Sequence, residues 1–184
     1  MSLTIRAKAD TIGTFRFISV YLMETLARWI PTTPELEAKV LFGRHLWEFA
    51  QHADQLGRRA GDLRVAPHYS PAPTEAGMAG LRALASAEGT AERIDGFYDA
   101  YLPTLAARYQ AYLDGADRLL DEPSVRIIER ILRDLERLSA ERAELRRERP
   151  DLSLTDSGFP ARIAALASAP ENIVVFRPPA SDLA

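Results

Sequence analysis

Cysteine is absent from the 184-residue chain. That removes disulfides, zinc ribbons, iron–sulfur clusters and thiol nucleophiles together. Lysine is scarce too, at positions 8 and 39 only, so arginine carries nearly all the positive charge. No apolar run approaches the roughly 20 residues of a membrane span, because Glu24 and Arg28 interrupt the best candidate. The opening MSLTIRAKAD lacks the apolar stretch and small-residue cleavage site of a signal peptide, so a cytoplasmic location without a membrane partner is expected. Net charge is −3 and the isoelectric point about 5.7. With no cluster of basic and aromatic residues, this speaks against nucleic-acid binding. EAGMAGL lacks the preceding strand of a phosphate loop, and no serine sits in a nucleophile elbow.

What is present is helix, cut by proline and glycine. Apolar residues make up 47% of the chain and charged residues 27%, the balance of a globular protein. A first helix is predicted over about Thr14 to Ile30, ending at Pro31. Phe15, Phe17, Ile18, Val20, Leu22, Met23, Leu26, Trp29 and Ile30 make it apolar almost all round, as in the centre of a bundle or at a dimer contact. Thr33 and Pro34 read as the cap and first position of a second helix running to about Arg59. RVAPHYSPAP, residues 64 to 73, is a linker too long for a tight hairpin. A weaker helix follows over Glu75 to Glu88. The third main helix is expected from Ala91 to about Leu120, capped by Thr90 and kinked at Pro103. Asp121 and Pro123 open a fourth, reaching about Glu148.

Beyond Pro150 a short amphipathic piece, Pro160 to Ala167, precedes ENIVVFRPP, which reads as extended chain. The expected organisation is therefore a helical bundle over 1–150 and a C-terminal extension over 151–184, packing on the bundle or on a neighbouring subunit. The fold class is all-α: four main helices with a long crossover between the second and third.

Two stretches carry a family likeness. ETLARWIPTTPELEAKVLFGRHLWEFAQHADQL, followed much later by DEPSVRIIERILRDLERL, resembles an uncharacterised bacterial branch of the ferritin-like superfamily, over roughly Phe15 to Leu138. The resemblance implies a ferritin-like four-helix bundle and, inside it, a carboxylate-bridged di-iron or di-manganese centre. Its ligand pattern is one Glu from each of the first and third helices and Glu-x-x-His from each of the second and fourth. Carried onto this chain, Glu24 matches the first carboxylate and His52 the second-helix histidine. Three residues before His52, however, stands Phe49. On the fourth helix Leu135 and Leu138 hold the Glu and His positions, and the third helix offers Tyr98, Tyr101, Tyr109 and Tyr112 where a Glu is required.

A shifted set is available on the second helix, where Leu41, His45, Glu48 and His52 fall within a band about 60° wide. That band borders the apolar stripe of Phe42, Leu46, Phe49, Ala53 and Leu56, where a histidine more commonly makes one hydrogen bond and nothing else. On the fourth helix Ile127, Ile128, Ile131, Leu132, Leu135 and Leu138 form an aliphatic face. Glu129, Glu136 and four arginines form the solvated one, with Asp134 at the edge. Glu24 has Arg28 as an alternative partner at i+4, and His68 sits in a loop.

Two functions follow. In one, a ferritin-like protein without its di-metal centre acts as a binding scaffold, with no cofactor, as a homodimer or around a small apolar ligand lodged among the helices. In the other, an oxidoreductase or hydroxylase holds iron or manganese on Glu24, His45, Glu48 and His52, with Asp134 as a further ligand. The apolar interior of the fourth helix favours the first, because metal-bound histidines need polar partners to orient them.

Overall fold

The computed structural model describes residues 3–66, 68–156 and 158–178. Pro67, Ser157 and the last part of the expected extension, 179–184, lie outside the described residues. Among those described there is helix and no strand, and no helix is long and apolar enough to cross a membrane.

Helix α1 spans Ile5–Thr32, nine residues earlier than the hydrophobic pattern predicts. Thr4 caps it by accepting the Ala7 N–H at 3.2 Å. The first turns bury polar side chains: Lys8, Asp10, Thr11 and Thr14 are all inside. Asp10, fully buried, accepts the Tyr69 hydroxyl at 2.6 Å and the Arg177 main-chain N–H and Nε at 3.0 and 2.6 Å. Burial and this carboxylate push the Tyr69 hydroxyl up to about 12. At the other end Pro31 is inside the last turn rather than beyond it. It withholds one N–H there, the one that the Ala27 carbonyl would accept; nearer the end, the Trp29 carbonyl accepts the Thr33 hydroxyl at 2.9 Å and Arg93 Nη1 at 3.4 Å.

Thr33 is thereby a buried cap of α1, not of the next helix. Helix α2 is Leu36–Asp62, with Glu35 at its N-cap. The Glu35 carboxylate accepts the Thr90 hydroxyl at 2.6 Å. Helix α3, Glu75–Ala85, lies in the long connection to the next main run. That run is continuous but not uniform: α4 (Thr90–Ile94), a π-helical segment Asp95–Tyr101, then α5 (Leu102–Gly115). The expected kink at Pro103 takes this form. A proline ring collides with the carbonyl four residues back, and a widened segment just before it relieves the clash. Helix α5 stops at Gly115 rather than Leu120 because the Asp117 carboxylate takes the N–H groups of Leu119 and Leu120, each at 3.0 Å, into a turn.

Helix α6 is Glu122–Glu148 and α7 is Gly158–Ser168. Helix α7 packs on α3 and on the π segment. At Gly80, Ala167 stands 2.9 Å from where a Cβ would be, and at Gly96 the Phe159 ring stands 2.8 Å away. After α7 the chain continues without regular secondary structure and passes Thr74, whose N–H donates to the Ile173 carbonyl at 2.9 Å.

The core lies among α1, α2, the α4–α5 run and α6. Leu22, Leu26, Phe42, Phe49, Leu56, Phe97, Tyr109, Ile128, Ile131 and Leu138 are all fully buried. Phe97 meets Phe49 and Trp29 edge-on at 5.7 and 6.2 Å, and Phe15 meets Tyr109 at 4.7 Å. Of the apolar side chains that α1 carries, Phe15, Ile18, Leu22, Leu26 and Trp29 are buried here, and Phe17, Val20, Met23 and Ile30 are half-buried. Helix α6 lies against α2, and that seam holds the candidate site.

Candidate metal centre

His45, Glu48 and His52 fall on one stripe of α2, spaced i, i+3, i+7. Asp134, Arg137 and Glu141 repeat the same spacing on α6. The helices run antiparallel, so the two stripes pair in order. His52 Nε2 is 3.1 Å from Asp134 Oδ2, Glu48 is 2.9 Å from Arg137 Nη2, and His45 Nε2 is 3.0 Å from Glu141 Oε2. Both histidines are fully buried, while the carboxylates reach the rim at about a fifth exposed. Deeper in, Tyr98 of the π segment places its hydroxyl 2.6 Å from His45 Nδ1.

A carboxylate only accepts hydrogen bonds, which assigns the tautomers. His45 donates from Nε2 to Glu141 and accepts at Nδ1 from Tyr98. His52 donates from Nε2 to Asp134, and its buried Nδ1 has no partner. Burial pulls both imidazoles below their ordinary range, against the upward pull of Glu141 and Asp134. Burial pushes the Tyr98 hydroxyl well up. For Glu141 burial acts upward too, yet the His45 bond and the Arg44 and Arg137 charges outweigh it and hold the carboxyl below its usual value.

Arg137 is the clasp of this seam. Its Nη2 is 2.9 Å from Glu48 and 3.5 Å from Asp134, and its Nη1 is 3.1 Å from Glu141. Arg44 adds a second guanidinium 3.1 Å from Glu141. Each carboxylate of the seam therefore faces an arginine.

A di-metal centre does not fit these residues. Glu24 stands apart, more than half exposed, with Arg28 at 3.9 Å. Phe49, Leu135 and Leu138 are buried where ligands are required, and the four tyrosines of the third run are buried as well. A single cation has three donors available: ligand atoms of Glu48, His52 and Asp134 lie within 4.8 Å of one another. His45 is not among them, and its two nitrogens are held by Tyr98 and Glu141. Of the four residues singled out from the sequence, the structure thus unites Glu48 and His52 with Asp134, sets His45 one turn away with its own partners, and leaves Glu24 outside. Glu141 and the bridging role of Arg137 were missed. The signal was present in the matched spacing of Asp134, Arg137 and Glu141 with His45, Glu48 and His52.

Further ionic clusters lie outside the seam. Asp121, 1% exposed, accepts from Arg59 at 3.0 Å, Ser124 at 2.7 Å and Tyr112 at 2.6 Å. Arg142, 2% exposed, pairs with Asp95 of the π segment. His68 is exposed in the connection after α2, at a positive φ of 64°. Compared with protein-family models, curated proteins and solved structures, the chain finds no match.

Proposed function

We propose that this chain is a ferritin-like helical scaffold that works by binding, with an ion-pair seam in the place where that superfamily carries a di-iron or di-manganese centre. The observation that carries the reading is Arg137, which reaches Glu48, Asp134 and Glu141 at once. A guanidinium so placed supplies the positive charge that these carboxylates otherwise require of a metal ion. The aliphatic and aromatic filling at Phe49, Leu135 and Leu138 agrees with it, because apolar packing in place of a buried polar cluster leaves a fold as stable or more so. Any pairing of two copies would draw on the exposed Leu36, Val40 and Trp47 of α2.

A second reading, an oxidoreductase or hydroxylase using one iron or manganese ion, is favoured by the Glu48, His52 and Asp134 donors alone. It requires Arg137 to swing clear. Metal content decides between the two, measured by plasma mass spectrometry on protein made in iron- and manganese-supplemented medium. Sub-stoichiometric metal is expected. One or two tightly held equivalents, lost on His52→Ala and Asp134→Ala, would overturn the scaffold reading.

A further inference from the structure

The start of α1, the end of α5 and the Asp121 turn border a recess of about 230 Å³. Its walls are apolar: Leu3, Ala111, Ala116 and the ring of Tyr112. Its polar groups are Lys8 and Asp121, and they differ in what they have left to offer. Asp121 already accepts from Arg59, Ser124 and Tyr112. Lys8 is 8% exposed, and among the described residues its ammonium has only the same carboxylate, at 3.5 Å, beyond hydrogen-bonding distance for a strong contact. An ammonium carries three donors, so a nine-tenths-buried cation lines an apolar recess with donor capacity to spare.

We propose that this recess is a binding site for a small, mostly apolar, uncharged molecule bearing one oxygen acceptor, a ketone being the simplest, with that oxygen on Lys8 Nζ. Size follows from volume: a cavity of about 150 Å³ takes up the six carbons of benzene, about 25 Å³ for each, so the recess suits at most roughly nine non-hydrogen atoms. Neutrality follows from the surrounding charges. Lys8 and Arg59 face Asp121 and Asp117, whose carboxylate senses Lys8, so the positive and negative groups balance and an added anion would go uncompensated. An acceptor rather than a donor follows from the saturation of Asp121. The proposal deepens the scaffold reading and rests on it. The two fail separately, because metal content tests one and ligand binding the other.

The test is an amide-shift titration of the isotope-labelled protein with cyclohexanone, methylcyclohexane and cyclopentanecarboxylate. Cyclohexanone is expected to give saturable shifts confined to residues around 111–116 and Lys8, and to bind more tightly than either of the others. Lys8→Met should weaken cyclohexanone about tenfold or more, the worth of a hydrogen bond to a charged group, while leaving methylcyclohexane unchanged. Gly115→Leu, where an added Cβ meets no atom within 4 Å, should fill the recess and abolish all binding in a folded protein. If Lys8→Met does not fold, Gly115→Leu decides. Unsaturable or scattered shifts, equal affinity for methylcyclohexane, tighter binding of the carboxylate, or cyclohexanone affinity that survives either substitution would each overturn the proposal.

Discussion

Acid sensitivity of the α2–α6 seam provides a quantitative check on its chemistry. His45 and His52 are fully buried, and burial lowers both from the ordinary 6.5. In the unfolded chain they take up protons as the pH falls through 6.5, whereas in the fold they stay neutral to lower pH. The unfolded state then binds more protons, so stability is full above 6.5 and falls below it. With two rings neutral in the fold and charged outside it, the loss is about 2 kcal/mol between pH 6.5 and 5.5. The slope approaches about 2.7 kcal/mol per pH unit further down, for as long as the folded rings hold off protonation. Carboxylates of this structure that lie below their normal range, such as Asp121 and Glu141, lose their contribution only below their ordinary 3.8 and 4.5. Asp99, which burial holds above its ordinary 3.8, acts in the opposite sense, gaining stability as the pH falls, so a decline in stability that begins at 6.5 is the signature of the histidines. Urea unfolding followed by circular dichroism at half-unit pH steps measures the slope. The double variant His45→Gln, His52→Gln should show no such decline between 6.5 and about 4.5. A flat profile for the unaltered protein, or an equal slope in the double variant, would refute the burial argument.

Two other substitutions bear on the packing. Arg142→Met leaves Asp95 buried with only the Leu154 N–H and a 3.6 Å contact to Arg146. A loss of about 3 kcal/mol or more in urea unfolding is expected, with much of it restored when Asp95→Ala is added. Gly80→Val puts branched methyls where Ala167 stands 2.9 Å from a Cβ position. It should cost about 1–3 kcal/mol and speed proteolytic cleavage between α6 and α7, with the α1–α2 hairpin the last part to be cut.

The legible part of this fold was its apolar periodicity. Ile128, Ile131, Leu135 and Leu138 recur at helical spacing and are buried as that spacing demands. Pro103 announced a disturbance in the third run without saying that it would be a π segment. The first turns of α1 were illegible for the opposite reason. Lys8 and Asp10 look like a solvated start, and Tyr69, Asp121 and Arg177, all remote in sequence, make their burial tolerable. The same holds at the seam. His45 and His52 stand out as rare residues one helical stripe apart, but Glu141 and Arg142 belong to a run of arginine and glutamate that reads as solvent-facing throughout. Their partners His45 and Asp95 are 96 and 47 residues away. Local pattern identifies which residues are unusual, whereas a charge becomes buried through contacts that no local pattern contains.

Asp10 also sets an order of assembly. It belongs to the earliest turns of α1, yet its donors arrive from 59 and 167 residues further along. Closing the longer loop costs roughly 1 kcal/mol more than closing the shorter, so Tyr69 is the natural first arrival and Arg177 the second. Until Arg177 has been synthesised, a carboxylate destined for the interior lacks its positive partner, and the turns around it have reason to stay open to water. On a ribosome, a segment made well before its partners is thus among the last to be sealed, and the residue that seals it emerges after α7.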